Sequence, residues 1–303
     1  SPFFTQSQIK GGVAIGDIDN DGTLEIVFGS HNKHLYALAV SQDETELITK
    51  LDFTDNKYLD ATPVLKDLDN DGDLEIIIGT FYGSNSLYVL HHDGTAYGSS
   101  PYMLPGMMLT AVSVADFDGD ENYEIVYGLS MNDNFLHIIN AEDGSNYLEP
   151  IDLGGVVNSS PVIGDLDGNG TLEIVCGSDN NYLNIINSED GSLTAITTNG
   201  IIKSSPLLAD IDNDGDLEIF VGDMEGLMHG FNHDGTALAN FPFSADDAII
   251  SSPVIADLDG TAGKEIVFGD NAGNIWAINT LSGQPLLPFP MNVGGQVKGA
   301  ASF

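Results

Sequence analysis

Along the chain, apolar residues fall in short runs bounded by glycine, proline, asparagine and aspartate, and no segment of comparable length spaces them as a helix would. The most regular stretch reads Ser251-Ser252-Pro253-Val254-Ile255-Ala256, an acidic loop, then Glu265-Ile266-Val267-Phe268-Gly269. It continues with Gly273-Asn274-Ile275-Trp276-Ala277-Ile278 and Leu286-Leu287-Pro288-Phe289-Pro290. That pattern predicts four short strands with turns between them. Asp93-Gly94, Asp143-Gly144, Asp190-Gly191, Asp234-Gly235 and Ser282-Gly283 separate the third strand from the fourth. Asp-Gly suits tight hairpins because both residues tolerate positive φ. The chain is expected to be all-β.

The same order returns along the chain. Asp17-Ile18-Asp19-Asn20-Asp21-Gly22-Thr23-Leu24-Glu25 has counterparts beginning at Asp67, Asp116, Asp165, Asp210 and Asp257, spaced 45 to 50 residues apart. This period matches one four-stranded propeller blade, and stacking such sheets around an axis buries both faces of each. The expected architecture is a β-propeller in which residues 1–303 form a single domain. Ser159-Ser160-Pro161, Ser204-Ser205-Pro206 and Ser251-Ser252-Pro253 precede acidic loops and fit an innermost strand crowded against the axis. No repeat pairs these serines with a local histidine, so they are expected to be structural rather than nucleophilic.

At the ends, Ser1-Pro2-Phe3-Phe4 is like Phe241-Pro242-Phe243 and Pro288-Phe289-Pro290, expected in fourth strands, and Gln296-Val297-Lys298-Gly299 echoes Gln8-Ile9-Lys10-Gly11. Six complete repeats flanked by two parts of another predict seven blades, one of them split between the termini. A six-bladed ring with overhanging ends is the alternative. A chain that opens on Ser1 without an initiator Met is expected to be processed or excerpted from a longer one.

Eight Lys and no Arg face 46 Asp plus Glu, giving a net charge of −38, while 42% of residues are hydrophobic and can fill a core. Such a charge repels polyanions, which argues against nucleic acid or an anionic membrane as a partner. Membrane insertion is not expected either, since no apolar run approaches the ~20 residues of a spanning helix. The single Cys176 excludes an intrachain disulfide. It occupies the position of Phe28, Ile78, Tyr127, Val221 and Phe268, which predicts a buried apolar role.

The acidic loops carry the candidate chemistry. Calcium takes six to eight hard oxygen ligands and tolerates irregular geometry, and the loops offer oxygens at alternate positions. In the first, Asp17, Asp19 and Asp21 supply carboxylates, Thr23 a carbonyl, Glu25 a closing carboxylate, and Gly22 the sharp bend. The second and fifth carry equally full sets, Asp67, Asp69, Asp71, Asp73 and Glu75, and Asp210, Asp212, Asp214, Asp216 and Glu218. The third has Asp116, Asp118, Asp120, Asn122 and Glu124, with Glu121 where Gly is usual. The fourth has Asp165, Asp167, Asn169, Thr171 and Glu173, one carboxylate fewer. The sixth, with Asp257, Asp259, Thr261, Gly263 and Glu265, is the most degenerate. Magnesium demands a stricter octahedron and zinc prefers His or Cys, so up to six Ca2+, one per loop, are expected.

An Asp-x-Asp-x-Asp-Gly-x-x-Glu loop running into a short apolar strand, repeated along almost the whole chain, resembles the FG-GAP/VCBS family, the integrin-α-type propeller. EF-hands share the spacing but need flanking helices, and Glu25-Ile26-Val27-Phe28 reads as a strand. The resemblance implies an extracellular or cell-surface scaffold for adhesion to a protein or glycan. Related repeats also occur as accessory modules of secreted enzymes, and some uronate lyases are built from such blades. Complementary end strands leave room for head-to-tail self-association into a filament.

Enzymatic chemistry finds little support in the residues. His137 and His229 share the third-strand position of Tyr36, Tyr88 and Trp276 and are expected to pack. His91, His92 and His233 flank Asp-Gly turns and are expected to face solvent. No nucleophile, base and orienting group stand together, so the chain is expected not to be an enzyme. A contact surface is expected where Tyr58, Phe81, Tyr82, Tyr102, Met103, Met107, Met108 and Met131 gather on loops remote from the acidic hairpins.

Overall fold

The computed structural model describes residues 3–40, 45–52, 57–82, 85–131 and 133–299. Ser1 and Pro2 of the N-terminal motif lie outside the described residues. Among the described residues there is no helix, hence none long and apolar enough to cross a membrane. The chain divides into two compact units, Ser1–Asp152 and Leu153–Phe303, each holding three antiparallel sheets of four strands in sequence order.

In the first unit the sheets are β1 (Ala14–Gly16), β2 (Glu25–Gly29), β3 (His34–Val40) and β4 (Thr45–Asp52); β5 (Val64–Lys66), β6 (Glu75–Gly79), β7 (Ser86–Leu90) and β8 (Tyr102–Met103); and β9 (Ser113–Ala115), β10 (Glu124–Gly128), β11 (Phe135–Asn140) and β12 (Asn146–Asp152). The second unit has β13 (Val162–Gly164), β14 (Glu173–Ser178), β15 (Tyr182–Asn187) and β16 (Leu193–Thr197); β17 (Leu207–Ala209), β18 (Glu218–Gly222), β19 (Leu227–Phe231) and β20 (Phe243–Ser244); and β21 (Val254–Ala256), β22 (Glu265–Gly269), β23 (Asn274–Asn279) and β24 (Met291–Asn292). This is the β-propeller blade expected from the pattern. Phe3-Phe4 and Gln296-Val297-Lys298-Gly299, assigned by sequence to a further split blade, carry no strand among the described residues.

Second strands are buried on both faces, as stacked sheets require, with β6, β10, β18 and β22 buried at every residue. In the first unit the core joins Val27, Leu35, Ile76, Ile78, Leu87 and Ile125. In the second, one cluster gathers Val175, Leu183, Ile219 and Val221, and another Phe220, Phe241, Phe268 and Trp276. Cys176 is fully buried, and burial pushes its thiol up to about 12, so it serves as a small apolar residue.

Successive repeats are joined by a socket. Each second strand carries a glycine at or next to its last residue, and in five of them the absent side chain leaves room for an apolar residue that follows the repeat. A Cβ on Gly29, Gly79, Gly177, Gly222 or Gly269 would overlap Leu59, Met108, Ile202, Ile249 or Val297 respectively. Above each socket, the loop after the second strand donates a backbone N–H to the segment leading into its own repeat. His31 bonds Gln8 O, Phe81 Tyr58 O, Ser130 Met107 O, Asp179 Val156 O, Met224 Ile201 O and Asn271 Ala248 O, at 2.7 to 2.9 Å.

The serines bear out their structural reading. Ser204 Oγ donates to Gly222 O at 2.9 Å and accepts from Gly222 N, and Ser251 does the same with Gly269. Their neighbours link repeats, since Ser160 N donates to Ser205 Oγ at 3.2 Å and Ser205 N to Ser252 Oγ at 3.1 Å.

Two local expectations need correction. The fourth strands of the fifth and sixth repeats lie after the proline segments: β20 follows Phe241-Pro242, and β24 follows Leu286-Leu287-Pro288-Phe289-Pro290. Proline has no N–H to give the ladder, so pairing begins once the prolines have passed. In the Asp-Gly turns only glycine takes positive φ, from 71° at Gly191 to 84° at Gly94. Aspartate contributes its carboxylate instead, accepting the N–H two residues on at Thr95, Ser145, Ser192 and Thr236, at 2.8 to 2.9 Å.

Candidate metal centre

Each acidic loop joins the first two strands of its sheet, and the register closes it identically. Gly16 faces Glu25, Lys66 faces Glu75, Ala115 faces Glu124, Gly164 faces Glu173, Ala209 faces Glu218 and Ala256 faces Glu265. The closing glutamate thereby roots the loop in the sheet. Its Oε2 accepts the N–H of the second loop residue, from Ile18, Leu68, Phe117, Leu166, Ile211 and Leu258, at 2.8 to 3.0 Å.

The first aspartate shapes the turn. Asp17 accepts the N–H groups of Asp21 and Gly22 at 3.0 and 2.9 Å, and Asp165 accepts those of Asn169 and Gly170 at 3.0 and 2.9 Å. The fifth-position side chain accepts the N–H two residues on: Asp21 from Thr23, Asp71 from Asp73, Asp120 from Asn122, Asn169 from Thr171 and Asp214 from Asp216. Two loop residues take positive φ, namely Asn20 and Gly22, Asn70 and Gly72, Gly119 and Glu121, Gly168 and Gly170, or Asn213 and Gly215. Glu121 at φ 70° thus occupies a conformation that costs a non-glycine residue energy. In the sixth loop Ala262 does not make that bend; positive φ moves to Gly263, at 89°.

Carboxylate oxygens converge inside these loops. Those of Asp17, Asp19 and Glu25 lie within 4.8 Å of one another, as do those of Asp67, Asp69 and Asp71, of Asp116, Asp118 and Asp120, and of Asp165, Asp167 and Glu173. Glu25 is fully buried, and its Oε1 has no partner; Asp19 Oδ1 and Asp67 Oδ1 are likewise buried and unpartnered. Burial first, then repulsion from Asp19, Asp21 and Asp17, raises the pKa of Glu25 despite its bond from Ile18. For Glu124, burial followed by Asp118, Asp116 and Asp120 pushes the value up to about 7. Orphaned inward oxygens in a field of like charge fit a hard cation with oxygen ligands.

Not every predicted ligand points inward. The side chains of Asp73 and Asp216 turn to His92 and His233, at 2.9 Å each, leaving their main-chain carbonyls as the oxygens available to the loop. His91 lies 3.0 Å from Glu75 Oε1, where Asn279 donates to Glu265 Oε1 at 2.9 Å in the sixth repeat. In those two repeats both oxygens of the closing glutamate are engaged within the protein, so it braces the loop. The three histidines, expected to face solvent, are therefore half-buried supports of the acidic hairpins, a role set by tertiary proximity that local sequence does not carry.

His137 and His229 pack as expected, His137 stacked on Tyr127 at 4.9 Å, but each also meets a carboxylate. Asp133 lies 3.0 Å from His137, and Asp223 lies 2.8 Å from His229 while accepting the N–H groups of Glu225 and Leu227. In the sixth repeat Asp270 accepts from Trp276 Nε1 at 2.9 Å and from Asn274. These aspartates organise the loop between the second and third strands. The signal was an Asp directly after the strand-ending glycine, at Gly222-Asp223 and Gly269-Asp270.

The expected contact surface divides. Met108 is fully buried in the socket of Gly79, and Tyr102 lies in β8 with its hydroxyl on Ala141 O at 2.6 Å. Met103, also in β8, is exposed. Tyr58, Phe81, Tyr82, Met107 and Met131 do lie on loops or linkers at the end of the sheets remote from the acidic hairpins, with Tyr82 and Met131 half exposed.

Comparison with known proteins follows the same lines. The FG-GAP-like repeat family matches at residues 67–127 and 165–221. No curated protein matches the sequence. Among solved structures, BamB from Moraxella catarrhalis aligns with a TM-score of 0.68 at 17% identity, covering 99% of this chain and 79% of that one. A europium-containing methanol dehydrogenase aligns at 0.67 and 11% identity, over 95% and 69% of the two chains. The V. cholerae biofilm matrix protein Bap1 aligns at 0.55 and 20% identity, covering 75% of this chain and 38% of that one. At such identities the likeness is one of fold. The chain is a β-propeller in which residues 67–127 and 165–221 are FG-GAP-like repeats.

Proposed function

We propose that this chain is a calcium-stabilised extracellular scaffold that binds a protein or glycan ligand, and that it is not an enzyme. The observation that carries the calcium reading is Glu25, fully buried with one unpartnered oxygen and with its carboxylate within 4.8 Å of those of Asp17 and Asp19. A cation held there, and at the corresponding oxygens of Asp67, Asp69 and Asp71 or Asp116, Asp118 and Asp120, offsets repulsion that folding otherwise builds in. It clips the first two strands of each sheet and couples metal binding to folding.

Extracellular placement follows from this demand, because loops as unequal as the first and sixth fill together only where calcium is abundant. The abundance of carboxylates also suits a surface exposed to other macromolecules. With chemistry concentrated in structural loops, ligand binding falls to the opposite ends of the sheets, where loops are freer to vary. The test is thermal unfolding in excess chelator and in millimolar Ca2+. Calcium at about a hundred times its dissociation constant adds about 2.7 kcal/mol per site. An unchanged midpoint refutes the reading.

A further inference from the structure

Away from the acidic hairpins, the first unit presents a row of rings. His31, in the loop between β2 and β3, stacks on Tyr58, in the segment leading to β5, with centroids 4.4 Å apart and planes 15° apart. Tyr58 neighbours Tyr82, in the loop between β6 and β7, at 5.9 Å and 30°. Backbone bonds hold His31 and Tyr58 in place, from His31 N to Gln8 O and to Tyr58 O from the N–H of Phe81, the residue before Tyr82. Behind the row lies Asp60, its side chain 4% exposed, with Oδ1 2.5 Å from His31 Nε2 and Oδ2 3.9 Å from the half-exposed Lys10 ammonium.

The fold does not require this row. The position of Tyr58 carries Gln8, Met107, Val156, Ile201 and Ala248 in the other repeats, and that of Tyr82 carries Asn32, Met131, Asn180, Glu225 and Ala272. Those repeats build the same loops and the same backbone bonds without rings there. Tyr82 is nonetheless left 52% exposed.

We propose that His31, Tyr58 and Tyr82 form a binding platform for a neutral polysaccharide, an inference that rests on the scaffold reading and names its ligand class. His31 and Tyr58 brace one another, and the exposed Tyr82 at the end of the row presents the negative π density that attracts the C–H faces of sugar rings, while its hydroxyl and the Lys10 ammonium beside Asp60 offer partners to sugar hydroxyls. Rings already stacked on one another lose little freedom when a ligand settles on them. The net charge of −38 disfavours an acidic polymer. A protein partner fits less well, because a stable interface covers about 800 Å² per side and this row is narrow and edged by charge.

The test uses the calcium-loaded chain in native affinity gels cast with hydroxyethylcellulose, galactomannan or alginate. Retardation by a neutral polymer is expected, weakened about tenfold in Tyr82→Ala and retained in Tyr82→Phe, with the calcium-dependent melting shift unchanged in both. No retardation by either neutral polymer, retardation that survives Tyr82→Ala, or equal retardation by alginate overturns the platform. The wild-type melting shift separates the two readings: its presence without retardation removes only the platform, and its absence removes the calcium scaffold itself.

Discussion

The backbone amide of Ile18 donates to Glu25 Oε2 across the first acidic loop at 3.0 Å, while Oε1 of the same carboxylate has no partner. One oxygen holds the loop and the other is the one that the proposed cation would meet. Glu25→Ala removes both functions and strands a buried N–H, so it should cost about 1–3 kcal/mol even in chelator. Glu25→Gln keeps an acceptor for Ile18 and relieves the like charge. Its stability in chelator should equal or exceed that of the parent, while its gain on adding Ca2+ shrinks. Urea denaturation with and without calcium reads both effects, and equal calcium gains for parent and Gln variant would remove Glu25 from the metal's coordination.

The glycine sockets predict where the repeats are intolerant of change. Gly222→Ala places a Cβ against the fully buried Ile249, and overpacking of this kind costs about 1–3 kcal/mol. Gly222→Ala combined with Ile249→Val should recover part of that loss. A double variant no better than the single one would mean that the socket is set by backbone alone.

The sixth loop should release calcium first as the ion is diluted. Thr261 replaces a carboxylate, and Ala262 forces the left-handed bend onto Gly263. Thr261→Asp with Ala262→Gly restores the arrangement of the first loop and should raise the ions retained per chain at limiting Ca2+. Equilibrium dialysis followed by elemental analysis counts them; an unchanged count speaks against this ordering.

Two buried aspartates should lose their contribution to stability in acid. Burial raises the Asp270 pKa, but Trp276 and Asn274 more than reverse it, so the group ends below its ordinary 3.8. Asp223 follows the same course, with burial outweighed by His229 and the Leu227 amide. A lowered folded-state value contributes stability that is present above 3.8 and is lost as pH falls through the folded value. Asp270→Asn should therefore lose stability most near neutrality and approach the parent in strong acid, in denaturation curves recorded in chelator from pH 7 downward. A gap that stays constant with pH would show that Asp270 acts by shape alone.

Much of this was legible in the sequence because it is local. The short apolar run of Glu265-Ile266-Val267-Phe268-Gly269 and the turn chemistry at Asp257 each signal their own geometry, and repetition multiplied the signal. What escaped was decided between segments. Met108 reads as a loop residue until Gly79 is seen to make room for it, and Tyr102 until its hydroxyl meets Ala141 O. The bracing of Glu75 by His91 spans 16 residues and two strands, a distance at which hydrophobic pattern is silent. Position after proline, at Phe243 and Met291, was readable from the missing N–H but masked by the apolar prolines and phenylalanines before it.

The sockets also mean that the copies cannot be reordered freely. Five of these glycines receive side chains of four kinds, which differ in branching and length: Leu59, Met108, Val297 and, twice, isoleucine, at Ile202 and Ile249. Neighbours are therefore matched as lock and key along the chain. A shuffled array would keep every loop and every strand and still misfit wherever a socket met a side chain of another shape; only the junctions filled by Ile202 and Ile249 are alike, so most of the linear order is encoded in one side chain per junction.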